Sequence, residues 1–145
     1  MTFPAIEALI PHRTPMRLVD EVVHQEGRSV TCRTTIGATM PFVRDGEVPM
    51  MVALELFAQS ACTLVSLLAL RTGGPIAGGA VLGTRKLELH GASLAVGDVV
   101  HIHCEERMAM GPMAQIHCRL LRGEELLAEG SINVMAGTPP AGEHA

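Results

Sequence analysis

Glu55 is the only formal charge between Glu47 and Arg71, within a run over 48–70 that is otherwise apolar or small and polar. A carboxylate buried in such a run must be neutralised, paired or used, because an unpaired buried charge is costly or shifts its pKa. Gln59 lies one helical turn on, and Thr63 and Ser66 continue the same stripe. A polar stripe on a buried helix can equally bond neighbouring backbone, so a chemical role for Glu55 requires a second group. His12 supplies a candidate: in Ile10-Pro11-His12-Arg13-Thr14-Pro15-Met16 it sits in a proline-flanked segment able to fix an imidazole against the protein surface. Taken alone, such a histidine is also compatible with packing or capping.

Other constellations are weaker. Arg85 and Lys86 could meet an anionic substrate at a strand edge, although paired surface charges explain them as well. Gly73, Gly74, Gly78 and Gly79 are not followed by Gly-Lys-Ser/Thr, so they punctuate turns rather than cradle phosphate. No Gly-x-Ser-x-Gly elbow is present. Histidine and cysteine recur in Ile102-His103-Cys104 and Ile116-His117-Cys118 and invite a zinc site. Alternation argues against one. Val100, Ile102 and Cys104 form one apolar face, Ala114, Ile116, Cys118 and Leu120 another, and pairing them sends His101, His103 and His117 to the opposite side. No metal site is expected.

The elements that must position Glu55 and His12 follow from periodicity and punctuation. A short N-terminal helix is predicted from Thr2 to about Leu9, ended by Pro11 and Pro15. Alternating β-branched residues over 17–24 and 29–36 flank Glu26, Gly27 and Arg28, a hairpin signal. Residues 40–49, with two prolines and Gly46, read as a loop delivering the chain into a long helix over 49–71. That helix is apolar nearly all round and therefore belongs inside a sheet. Strands over 80–90, 98–108, 112–121 and 125–134 follow, with turns at 91–97, 110–111 and Gly123. The expected organisation is one domain over 1–136 and a disordered tail over 137–145.

Composition narrows the classes. Of 145 residues, 48% are hydrophobic and 18% charged, which favours a packed core and leaves apolar surface for a second subunit to cover. A net charge of -4 with three Phe and no Trp or Tyr gives neither a basic stripe nor a stacking platform, so nucleic acid is not an expected partner. Cys32, Cys62, Cys104 and Cys118 form no Cys-x-x-Cys pair and suit a reduced, cytoplasmic core. The N-terminal residues lack the pattern of a signal peptide. The apolar run approaches membrane-spanning length, but Glu55, Gln59, Ser60, Thr63 and Ser66 mark it as a core helix.

Together, Leu9-Ile10-Pro11-His12-Arg13-Thr14-Pro15-Met16-Arg17-Leu18-Val19-Asp20-Glu21-Val22 and Leu54-Glu55-Leu56-Phe57-Ala58-Gln59-Ser60-Ala61 resemble two segments of the hotdog-fold 3-hydroxyacyl-acyl-carrier-protein dehydratases. Leu82-Gly83-Thr84-Arg85-Lys86-Leu87-Glu88-Leu89-His90 and Leu127-Ala128-Glu129-Gly130-Ser131-Ile132-Asn133-Val134 are similar to a narrower branch, the dehydratase-like proteins of aryl polyene gene clusters. The resemblance implies an α+β hotdog fold, a long central helix wrapped by a curved antiparallel β-sheet, with acyl tunnels at a subunit interface. It implies reversible removal of water from 3-hydroxyacyl thioesters carried on acyl carrier protein. No cofactor is implied beyond the phosphopantetheine that the substrate carries.

Carried onto this chain, the resemblance makes Glu55 the acid, its pKa raised by the apolar helix, and His12 the base, with Gln59 orienting the carboxyl group. Substrate contacts are expected from Gln59, Pro11, Gly83 and Arg85. The family's histidine stands in a Gly-His-Phe-Pro type loop ahead of the helix, whereas Met40-Pro41-Phe42-Val43-Arg44-Asp45-Gly46-Glu47-Val48-Pro49 holds none. Two arrangements follow: His12 replaces it in a homodimer or heterodimer, or the chain is a non-catalytic, acyl-binding hotdog subunit beside an active paralogue. A hotdog thioesterase, with Glu55 activating water, is a third class.

Overall fold

The computed structural model describes residues 2–73 and 79–136; the expected tail over 137–145 and the turn glycines Gly74 and Gly78 lie outside them. A long antiparallel sheet wraps one helix. Its strands are β1 (Glu21–Glu26), β2 (Ser29–Thr35), β4 (Gly79–Leu89), β6 (Val99–Met110), β7 (Met113–Arg122) and β8 (Glu125–Ala136), in the spatial order β1-β2-β6-β7-β8-β4. A small ribbon of β3 (Glu47–Pro49) and β5 (Ser93–Ala95) stands apart, and α1 (Val52–Arg71) is the central helix.

The register follows the apolar alternation. Ile102 pairs with Leu120 and Cys104 with Cys118, and all four side chains are buried against α1. Packing these alternating residues on one face fixes the register, since a slip by one residue would turn every one of them to solvent. His103 and His117 lie on the outer face, as the alternation requires. Tight turns join the strands: Gly123, at φ 62, supplies the left-handed conformation of the two-residue connection between Arg122 and Glu125. Gly130 answers a different need. β4 bulges between Arg85 and Glu88, and a Cβ at position 130 would lie 3.1 Å from Leu87 Cα.

Twelve of the twenty residues of α1 are buried, among them Ala53, Leu56, Phe57, Ala61 and Leu64. By length and composition this helix could cross a membrane; here it fills the sheet's concave side instead. Its less covered stripe carries Leu54, Glu55, Ala58, Val65 and Leu68, continued by Met51 just ahead of the helix, so Glu55 is the one charge on an apolar strip. None of the four cysteines forms a disulfide, and burial pushes the Cys32 thiol up to about 12.

Several boundaries differ from expectation for identifiable reasons. The helix begins at Val52 rather than Pro49 because Pro49 still pairs with Ser93 and Met50 N–H donates to Ala92 O at 2.9 Å. The same ribbon turns parts of the expected loop 40–49 and turn 91–97 into short strands. The N-terminal helix is a single 3-10 turn, Ile6–Ala8, without a side-chain cap from Thr2. β1 starts at Glu21 rather than 17 because the backbone N–H groups of Leu18 and Val19 are taken by a helix side chain.

Candidate active site

That side chain is Gln59, fully buried on α1. Its Oε1 accepts from Leu18 N–H at 2.9 Å and Val19 N–H at 3.2 Å. Two backbone donors on one side fix the amide's orientation, because only the oxygen can accept them. Nε2 must then face the other way, where it donates to Met16 O at 2.8 Å and to Glu55 Oε1 at 3.0 Å. Gln59 therefore both binds the incoming strap of residues 9–19 and holds the carboxylate. Ser66 donates to Leu9 O at 2.6 Å and extends the same attachment by two helical turns, while Thr63 bonds back to Gln59 O at 2.8 Å within the helix. The polar stripe is thus mainly a mooring for the strap, with Glu55 at its open end.

Apolar anchors complete the strap. Ile6, Leu9, Ile10, Leu18 and Val19 are buried, and the segment between them arches over the first turns of α1. His12 stands on that arch, its Nε2 3.7 Å from Glu55 Oε1. The two groups that the sequence singled out, 43 positions apart by number, do converge. The separation exceeds hydrogen-bonding range. His12 Nδ1 is buried and has no hydrogen-bond partner, so the imidazole carries unspent hydrogen-bonding capacity.

Glu55 departs from the expectation of burial. Its side chain is 39% exposed in the single chain, so the apolar helix alone does not remove it from water. The carboxylate lies at the edge of a groove of about 330 Å³ walled mainly by apolar side chains of Met16, Phe42, Val48, Val52 and Leu54. Phe42 is 60% exposed and adopts φ 76, a left-handed conformation unfavourable for an aromatic residue. Nothing in the sequence pattern singled it out; the signal was its place in the loop ahead of the helix, where an aromatic among prolines was read only as loop.

Pro11 is exposed beside His12. Gly83 and Arg85 lie elsewhere, on the edge strand β4 opposite Asn133 and Ser131, and neither lines the Glu55 groove. Among the described residues no carboxylate lies within ion-pair distance of Arg85 or Lys86. No group of three or more His, Cys, Asp or Glu among the described residues is placed to hold a metal ion.

Against known proteins, the sequence profile of the ApeP dehydratases matches residues 4–143. The chain belongs to the ApeP-like dehydratase family. A comparison with curated proteins gives no match. Among solved structures, the chain is similar to the dehydratase heterocomplex ApeI:P from Xenorhabdus doucetiae, with a TM-score of 0.89 at 20% identity, covering 99% of this chain and 96% of that one. It is also similar to the uncharacterized protein PH1136 from Pyrococcus horikoshii, at TM-score 0.66 and 14% identity over 92% and 95% of the two chains. A hypothetical thioesterase from Streptococcus pneumoniae gives TM-score 0.64 at 14% identity over 82% and 91%. At these identities the likeness is one of fold: a central helix in a curved antiparallel sheet, the hotdog arrangement. For an ApeP-like dehydratase, the convergence of a histidine and a carboxylic acid beside an apolar groove has a direct chemical sense.

Proposed function

We propose that the chain dehydrates 3-hydroxyacyl thioesters borne by an acyl carrier protein, with Glu55 as acid and His12 as base. The observation that carries this is the approach of His12 Nε2 to Glu55 Oε1 at 3.7 Å beside the apolar groove. His12 takes the proton from the carbon next to the thioester carbonyl. The electron pair of that C–H bond becomes the new double bond as the hydroxyl leaves, protonated by Glu55, as water. Gln59 makes the two carboxyl oxygens unequal: Oε1 accepts its N–H, which leaves Oε2 to carry the acidic proton.

The partner is a second hotdog subunit, identical or not. Two surfaces support this: the apolar stripe of α1 and the outward edge of β4, which has no neighbouring strand among the described residues. The ApeI:P structure is itself a heterocomplex. Gly83 and Arg85, on that edge, would then reach substrate across the interface, with Pro11 framing the His12 side. The phosphopantetheine arm belongs to the substrate, and the setting is cytoplasmic.

The test combines purified protein, alone and with a candidate hotdog partner, with a 3-hydroxyacyl carrier-protein thioester, read by mass spectrometry. Loss of one water, abolished by Glu55→Gln, supports the proposal. Release of free acid would instead make the chain a thioesterase. Turnover that appears only with the partner and survives both Glu55→Gln and His12→Gln would make it a non-catalytic subunit.

A further inference from the structure

His12 presents an unusual positioning problem. Among the described residues its ring nitrogens find no hydrogen-bond partner: Nδ1 has none, and Nε2 lies 3.7 Å from Glu55 Oε1. Most catalytic or metal-binding histidines have their ring orientation set by a bond from the second nitrogen; here that device is missing. The ring must be aimed from its backbone. Residue 12 lies in neither helix nor strand, so no ladder holds it either.

The neighbouring side chain fills this gap. Arg13 Nη1 donates to His12 O at 2.8 Å and to Ile10 O at 2.9 Å, and Nη2 donates to Glu7 O at 3.0 Å. Three carbonyls from a stretch of irregular chain converge on one guanidinium. Arg13 thereby ties the arch to the 3-10 turn Ile6–Ala8, whose Ile6 is in the core, and to Ile10, which is buried. Among the described residues no carboxylate lies within 4.0 Å of Arg13, in contrast to Arg17, which pairs with Glu7 at 3.2 Å and Asp20 at 3.5 Å. The charge of Arg13 is spent on backbone oxygens alone.

We infer that Arg13 is a positioning residue for His12, its planar fork clamping the His12 carbonyl and so aiming the imidazole at Glu55. The inference rests on the proposed role of His12, but its geometric content stands apart from any reaction. Lysine cannot reproduce the fork, since a single ammonium radiates its donors from one point. A misplacement of about 1 Å at a reacting group can lower the rate by as much as roughly a hundredfold.

The experiment compares Arg13→Met and Arg13→Lys with the wild-type chain by two readouts. The first is NMR of the His12 ring, assigned through His12→Gln, with nuclear Overhauser contacts to the first turns of α1. The second is steady-state dehydration in the active assembly. Expected is loss of the His12 ring contacts in Arg13→Met, partial retention in Arg13→Lys, and a fall in kcat of roughly tenfold or more with KM changed by less than about threefold. Arg13 is exposed and outside the core, so both variants should fold; should Arg13→Met not, Arg13→Lys carries the comparison. Unaltered His12 ring contacts in the variants overturn the inference, whatever the activity. Altered contacts in a protein that dehydrates nothing would retain Arg13 as the clamp and refute the proposed reaction instead.

Discussion

Two of the histidine–carboxylate pairs among the described residues stand on opposite sides of the sheet, and they are built in opposite ways. On the outer face, His117 Nε2 and Glu129 Oε2 are 2.6 Å apart, with Ser131 Oγ 3.5 Å from the other ring nitrogen. That pair sits in a polar hollow with His103, Glu105, Arg107 and Arg119. On the helix side, His12 and Glu55 are held 3.7 Å apart, one ring nitrogen is unpartnered, and the surroundings are apolar. The outer pair has spent its hydrogen bonds on itself, as cross-strand neighbours do. The inner pair has been kept from closing, the carboxylate by Gln59 and the histidine by its backbone. A pair with unspent donors and acceptors beside an apolar groove can act on a third molecule; a closed pair in a polar hollow mainly stabilises the sheet surface, and weakly.

Breaking each pair in turn tests this contrast. Glu55→Gln should lower dehydration by about 10²–10⁴-fold, the range for a lost general acid or base, while Glu129→Gln leaves it within about twofold. Progress curves on the same carrier-bound substrate read both. His12→Gln should fall in the same lower range, about 10²-fold, and His117→Gln should not; equal losses for the two histidines would dissolve the distinction. Gln59→Leu removes the partner of two buried backbone N–H groups and of Met16 O. At about 1–3 kcal/mol for each buried N–H left unsatisfied, denaturant unfolding should show a loss of roughly 2–6 kcal/mol, together with loss of activity. Glu129→Gln should change stability by no more than about 1 kcal/mol, an effect that shrinks in salt.

The smallest expected effect concerns Asp98, far from either pair. Its carboxylate accepts from Ala95 N–H at 3.0 Å and from Arg122 at 2.8 Å, and these bonds, the backbone one first, hold its pKa below the ordinary value of 3.8. A depressed carboxylate stabilises the fold above its unfolded pKa and loses that contribution as pH falls through its folded value. Asp98→Asn should therefore be slightly less stable than wild type at pH values well above 3.8, and the difference should close in stronger acid. Thermal melts over a pH series check this; a gap that widened in acid would reverse the sign.

Much of the architecture was legible because it rests on patterns with one period. The alternation of Val100, Ile102 and Cys104 against Ile116, Cys118 and Leu120 dictated the register, and the all-round apolar helix dictated that something wrap it. The site was half legible. Glu55 and Gln59 share a helical face, and spacing alone reveals that. Their meeting with His12 is tertiary, and only the resemblance in the strap motif pointed to it. Three features escaped. The β3–β5 ribbon is made of three-residue strands, too short for any period. The separation of Gly83 and Arg85 from the Glu55 groove depends on strand order, which a list of strands does not contain. The exposure of Glu55 depends on what covers the helix stripe, and the chain does not cover it by itself.

Leu18 and Val19 end their N–H groups on a side-chain oxygen instead of a strand, and that makes the site observable without substrate. Those two amides exchange with solvent only when Gln59 lets go of the strap, and when it lets go Glu55 loses its donor at the same moment. Hydrogen-exchange protection at positions 18 and 19 is accordingly a direct measure of the fraction of time the site is assembled. A partner or ligand that lowers that exchange acts by completing the site rather than merely occupying it.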